Sequence, residues 1–274
     1  MSQTILQVDA FTDRPFSGNP AAICVLPGPA DDAWMQSVAL EMNLSETAFL
    51  YPESAEVYRL RWFTPTVEVD LCGHATLATA HALWSEGHLA ADKPARFQTR
   101  SGELTAVRNG DWIELDFPAI PLDPSRSADL EAVSQALNAK VVYAARNLFD
   151  LLAEVDTEEA LRSLVPDMGK IAAFPVRGVI ATARATTPGF DFVSRFFAPN
   201  LGVPEDPVCG SAHCCLGPYW AAKLSKTELI AYQASPRGGV LKLGVRGGRI
   251  KLAGQAVTVM RGELLGSART SRLG

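Results

Sequence analysis

Leu71-Cys72-Gly73-His74-Ala75-Thr76 and, 137 residues later, Val208-Cys209-Gly210-Ser211-Ala212-His213 open two apolar runs that reach a tryptophan, Trp84 and Trp220. The blocks around them recur too. Arg61-Trp62-Phe63-Thr64-Pro65 returns as Arg195-Phe196-Phe197-Ala198-Pro199 after 134 residues. Phe97-Gln98 returns as Tyr232-Gln233 after 135, and Val107-Arg108-Asn109-Gly110 as Val245-Arg246-Gly247-Gly248 after 138. Four blocks in one order, at offsets near half of the 274 residues, are the mark of an internal duplication, with the drift that loop insertions produce. Two similar domains are expected, residues 1–120 and 121–274, with the final strand free to pack back on the first domain. Pro118, Pro121 and Pro124 punctuate the linker, Asp116 to Ser127. A ligand cleft is expected between the copies, because such interfaces favour binding sites.

Composition narrows the function. Lys and Arg number 25 against 30 Asp and Glu, a formal net charge of −5, so the chain lacks the basic footprint of a nucleic-acid or anionic-membrane binder. With 47% hydrophobic and 20% charged residues it is globular rather than disordered. Apolar runs such as Ile23-Cys24-Val25-Leu26 fall far short of the ~18 residues of a membrane span. Met1-Ser2-Gln3-Thr4 has neither the basic nor the apolar region of a signal peptide. Five cysteines without framework spacing read as free thiols in a reducing, cytoplasmic setting. Ser267 to Gly274 reads as a polar tail.

The pattern along the chain is α+β. Short β-rich runs are frequent, among them Ala48 to Tyr51, Tyr58 to Phe63, Trp112 to Phe117, Lys170 to Phe174, Gly178 to Arg184 and Phe190 to Phe196. Helices are expected over Asp31 to Met42, Ala75 to Glu86, Ala128 to Leu137, Glu158 to Leu164 and Ala212 to Lys223.

Chemistry concentrates at the two Cys-Gly steps. Glycine lets the chain turn sharply into a helix. The helix start then offers unpaired N–H groups and partial positive charge to a carboxylate or oxyanion, and such an end also lowers the pKa of a nearby thiol. Cys72 and Cys209 occupy this position in both copies; Cys24, Cys214 and Cys215 read as packing residues. His74 falls in the first helical turn, where it can donate to an anion or shuttle a proton. Cys72, His74, His81, Cys209 and His213 lack the paired spacing of zinc sites, so no metal is expected. Glu46, where a helix end meets an apolar strand, is an acid/base candidate if partly desolvated; an exposed turn glutamate is the plainer alternative. Asp206 precedes the second helix start and reads equally as a cap. Gly18-Asn19-Pro20 reads as a tight turn without chemistry of its own.

Several stretches taken together resemble one family. Gln7-Val8-Asp9-Ala10-Phe11-Thr12 with Pro15 to Ala21, Asn43-Leu44-Ser45-Glu46-Thr47-Ala48-Phe49, Arg61 to Pro65, Cys72-Gly73-His74-Ala75-Thr76 and Glu205-Asp206-Pro207-Val208-Cys209-Gly210-Ser211-Ala212-His213 resemble, in order, the signatures of the phenazine-biosynthesis PhzF-like isomerases. The resemblance implies a diaminopimelate-epimerase-like fold, two pseudo-symmetric domains each with a curved mixed sheet or barrel around a central helix. It also implies a cofactor-independent enzyme that moves a proton on a small carboxylic acid, working as a homodimer. The family's catalytic glutamate falls on Glu46, its histidine on His74 and its aspartate on Asp206. Its carboxylate-binding loops fall on Gly73 with Ala75 and on Gly210, Ser211 and Ala212. The chain departs from the pattern in one respect. The phenazine isomerase itself lacks cysteine at the positions of Cys72 and Cys209, where related epimerases and proline racemases carry a pair. A two-cysteine racemase or epimerase, and a non-catalytic small-molecule-binding protein, therefore stay open beside the glutamate isomerase.

Overall fold

A computed structural model describes residues 2–265; the polar tail expected at 267–274 lies outside them. The chain divides into two compact units. The first holds residues up to Asp116 together with those from Ala253 onward, and the second runs from Phe117 to Leu252.

The first unit comprises β1 (Gln3–Ala10), β2 (Asn19–Val25), α1 (Asp32–Met42), β3 (Glu46–Pro52), β4 (Val57–Phe63), β5 (Glu68–Val69), α2 (Gly73–Ser85), β6 (Ala95–Thr99), β7 (Gly102–Asn109) and most of β8 (Trp112–Pro118). The second comprises α3 (Leu130–Leu137), β9 (Val141–Arg146), β10 (Leu151–Val155), α4 (Glu158–Arg162), α5 (Met168–Ala172), β11 (Val179–Arg184), β12 (Phe192–Ala198), β13 (Val203–Asp206), α6 (Gly210–Leu224), β14 (Glu228–Gln233), β15 (Gly239–Arg246) and most of β16 (Arg249–Gly254). The chain then returns through β17 (Ala256–Leu264).

The pairings repeat. In the first unit β1–β2 is antiparallel, β2–β3 parallel, β3–β4 and β4–β5 antiparallel, β4–β6 parallel and β6–β7 antiparallel. In the second, β9–β10, β10–β11, β11–β12, β12–β13, β12–β14 and β14–β15 follow the same order and directions. Repeated side chains keep repeated contacts. Arg61 forks onto Glu68 at 2.7 Å through Nε and Nη2, and Arg195 onto Glu205 at 2.7 and 2.8 Å. Each guanidinium also lies over a phenylalanine two residues on, Phe63 at 5.1 Å and Phe197 at 5.0 Å.

Each unit wraps its sheet around one buried helix. Ten of the thirteen residues of α2 are buried, and it packs against β1, β2, β3, β7 and β17. A helix hydrophobic on all faces belongs in a core, and the alanines and threonines of α2 are small enough for strands to approach from every side. Thr76 and Thr79 satisfy their buried hydroxyls by donating to the carbonyls of Cys72 and Ala75 at 2.6 and 2.7 Å. Burying Leu77 and Leu83 contributes about 1.5–3 kcal/mol each.

Two expectations are revised. The linker expected to end the first domain at residue 120 does so earlier: Ala119 and Ile120 donate to the carbonyls of Gly248 and Cys214, inside the second unit. The final strand, free to pack back on the first domain, does so: β17 forms an antiparallel ladder with β1 from Gln3↔Leu264 to Ala10↔Ala256 and brings the residues from Ala253 into the first unit. Lys170 to Phe174, expected as a strand, falls largely in helix α5. Asp167 caps that helix by accepting from Lys170 N at 3.1 Å, and Ile171 is buried.

Candidate active site

The parallel pairing of β2 with β3 sets Ala21 opposite Glu46, so Asn19 and Glu46 lie at the same end of the sheet. The start of α2 meets them there. Glu46 Oε2 lies 3.2 Å from His74 Nε2, His74 Nδ1 lies 3.2 Å from Asn19 Nδ2 and 3.5 Å from Cys72 Sγ. Burial pushes His74 down to about 4, with the Pro20 carbonyl opposing only in part, so its ring is neutral at neutral pH. The first unit thus gathers three of the expected catalytic residues, Glu46, Cys72 and His74, with Gly73 as the first helical residue and Ala75 fully buried behind it.

Asn19, read from the sequence as part of a turn, is a fully buried partner of His74. Its placement depends on Gly18, whose φ of +65° belongs to the left-handed region and whose added Cβ would lie 2.1 Å from the Ala10 carbonyl oxygen. The same cluster is a potential ligand set. A Glu46 oxygen, Cys72 Sγ and a His74 ring nitrogen lie within 4.8 Å of one another, donors that suit a borderline cation such as zinc. Chain spacing did not reveal it, because Glu46 arrives from another strand.

In the second unit Asp206 ends β13, and Cys209, Gly210, Ser211 and Ala212 form the start of α6. Gln233 braces this approach: its Oε1 accepts from Cys209 N at 2.9 Å and its Nε2 donates to the Asp206 carbonyl at 2.7 Å. Arg177 is a site residue that no sequence motif marked. Its Nη2 donates to Ser211 Oγ at 2.8 Å and to the buried Asp150 Oδ2 at 2.5 Å. His213 is structural: its Nδ1 lies 2.8 Å from the Cys209 carbonyl, and burial holds its ring near a pKa of about 4.

The expectation of an acidified thiol fails at Cys209. Burial raises its pKa well above the usual thiol range, and the Asp206 charge adds to that. Arg177 and the Ala212 N–H pull the other way and offset it only in part.

Helix capping separates these two starts from the rest. α1, α3, α4 and α5 are each capped by a side chain, from Asp31, Asp129, Thr157 and Asp167. Cys72 and Cys209 make no such side-chain cap, so α2 and α6 start without the Asp or Thr oxygen that closes the other helix starts.

Two units on one plan, each opening its central helix at a Cys-Gly step without a side-chain cap, define a duplicated α+β fold of the epimerase-like type. A hydroxyproline epimerase from Agrobacterium vitis, solved with bound trans-4-OH-L-proline, shares the fold with a TM-score of 0.64 at 13% identity, covering 96% of this chain and 91% of that one. The chain belongs to the phenazine biosynthesis-like (PhzC-PhzF) protein family, whose model matches residues 8–262. It is 54% identical over 265 residues to an uncharacterized isomerase of Halalkalibacterium halodurans, covering 97% of this chain and 99% of the relative. The crystal structure of a PhzF-family phenazine biosynthesis protein from Enterococcus faecalis matches with a TM-score of 0.91 at 43% identity, covering 96% of this chain and 99% of that one.

Proposed function

We propose that the protein is a cofactor-independent isomerase that moves a proton on a small carboxylic acid, with Glu46 as the base. The observation that carries this reading is the pairing of Glu46 with a buried, neutral His74 at 3.2 Å. A carboxylate held there takes a proton from carbon next to a carboxylate or unsaturated ring and returns it elsewhere. His74, reluctant to charge, orients the substrate or passes the proton without trapping it. The N–H groups at Gly73 and Ala75, beside Glu46 in the same unit, receive the carboxylate and stabilise developing charge.

A second reading, two-base epimerisation by Cys72 and Cys209, draws support from their matching positions and from the 3.5 Å approach of Cys72 Sγ to His74 Nδ1. The raised thiol of Cys209 weighs against it, since a thiolate is the working base. The test is incubation with pooled small carboxylic acids in deuterated water, read by mass spectrometry and NMR. Solvent deuterium entering a carbon position is expected. An acid that binds tightly and exchanges nothing would make this a binding protein instead. Prior dialysis against a chelator is expected to leave the exchange intact; loss of exchange, restored by zinc, would make the Glu46–Cys72–His74 cluster a metal centre.

A further inference from the structure

The first unit also contains a cavity of about 600 Å3, a size typical of small-molecule sites. It lies toward the other end of α2. His81 and Trp84, seven and ten residues on from His74, line it, which sets them roughly 10–15 Å along the helix axis from the Glu46 cluster. The other polar walls come from Asp13 in the β1–β2 loop, Arg108 and Asp111 either side of the β7–β8 turn, and Gln255 just before β17.

The charges in these walls do not cancel one another. Arg61, Arg96, Arg177 and Arg195 each close on a carboxylate. Arg108 spends only its Nε, on the Gly110 carbonyl at 3.1 Å, and forms no ion pair among the described residues. Neither Asp13 nor Asp111 takes part in an ion pair or side-chain hydrogen bond among the described residues. His81 is spoken for by Thr258, its Nε2 lying 3.0 Å from Oγ1. The Trp84 indole N–H donates to the Lys93 carbonyl at 3.0 Å, so the cavity meets its apolar ring.

One cation, two carboxylates and an indole wall around one cavity match a ligand bearing both charges and an apolar side chain. We propose that this cavity is a second, non-catalytic site for a free zwitterionic amino acid. The carboxylate pairs with Arg108, the ammonium lies with Asp13 and Asp111, and the side chain rests on Trp84. A guanidinium–carboxylate contact is the strongest single element of such recognition. The proposal does not depend on Glu46 being a base.

Calorimetric titration with L-phenylalanine, 2-phenylethylamine and 3-phenylpropanoate tests it, using the wild type, Arg108→Ala, the double variant Asp13→Asn with Asp111→Asn, and Glu46→Gln. The amino acid is expected to bind the wild type, and each singly charged analogue to bind roughly tenfold more weakly or worse. Both cavity variants, altered at exposed positions, are expected to keep the wild-type melting temperature and lose at least about tenfold in affinity. Glu46→Gln is expected to bind as the wild type does. No binding of L-phenylalanine, binding that ignores both cavity variants, or binding lost in Glu46→Gln would overturn the proposal. The last outcome would place the amino acid at the Glu46 cluster and leave the proposed reaction standing.

Discussion

Gly18 controls where Asn19 sits, and Asn19 controls the ring of His74. A methyl group at position 18 would collide with the Ala10 carbonyl on a backbone already at φ +65°. Gly18→Ala is therefore expected to destabilise the fold by more than about 1 kcal/mol and to lower turnover beyond what that loss explains. Denaturant unfolding and the deuterium assay on the folded fraction check both parts; unchanged turnover would show that Asn19 does not position His74. At this scale the sequence was informative where the signal was local. Cys72 and Cys209 stand out because glycine and an apolar run follow each of them. Asn19 and Arg177 do not stand out, because their roles come from contacts 55 and 34 residues away along the chain. The Cys209 thiol is a further case. A helix start next in sequence argued for a lowered pKa, while burial, a property of the folded core, wins in the opposite direction.

The central helices make an element-scale prediction. His74 and His213 occupy the first turns of α2 and α6, and burial lowers both from 6.5 to about 4. A histidine whose folded pKa is depressed stabilises fully above its unfolded value, and that stability is lost as pH falls from 6.5 toward 4. At pH 5 the unfolded chain binds roughly two more protons than the folded chain on these two residues, a slope of about 2 kcal/mol per pH unit. Urea unfolding from pH 7 to pH 4.5 measures this slope, and His213→Asn is expected to remove about half of it. Glu158 acts lower on the pH scale. It accepts from Thr186 N, Thr187 N, Thr187 Oγ1 and Arg162 Nε, which hold its carboxyl near 2 against the desolvating effect of burial. Its contribution is present above the usual glutamate value and is lost as pH falls from 4.5 toward 2. The long helices were readable from caps and apolar runs. Helix α5 was not, since five residues are too few to show a period and its Ile171-Ala172-Ala173-Phe174 end reads equally as a strand.

For the whole molecule, the duplication was legible as a 137-residue repeat and reappears as six matched strand pairings. The return of the final strand to the first unit is allowed for, but the repeat alone does not give its partner, because the β1–β17 ladder joins the two extremes of the chain. Ending the chain at Leu252 strips β1 of that whole ladder and is expected to destroy cooperative unfolding of the first unit; an unchanged thermal transition would contradict this. The matched ion pairs differ in their surroundings. Arg195 Nη1 also donates to the Leu164 carbonyl at 2.8 Å, whereas Arg61 Nη1 goes to the exposed Asp32. Arg195→Lys is accordingly expected to cost roughly 2 kcal/mol or more, and Arg61→Lys about 1 kcal/mol or less, in matched urea titrations. The central claim is that the protein moves a proton on a small carboxylic acid with Glu46 as the base. Its most direct test is the rate of solvent-deuterium incorporation into the acid found by screening, compared between Glu46→Gln and the double variant Cys72→Ser with Cys209→Ser. The account predicts that Glu46→Gln loses roughly 100-fold or more with its fold intact while the cysteine variant keeps substantial exchange. Exchange that survives in Glu46→Gln and vanishes in the cysteine variant would contradict it.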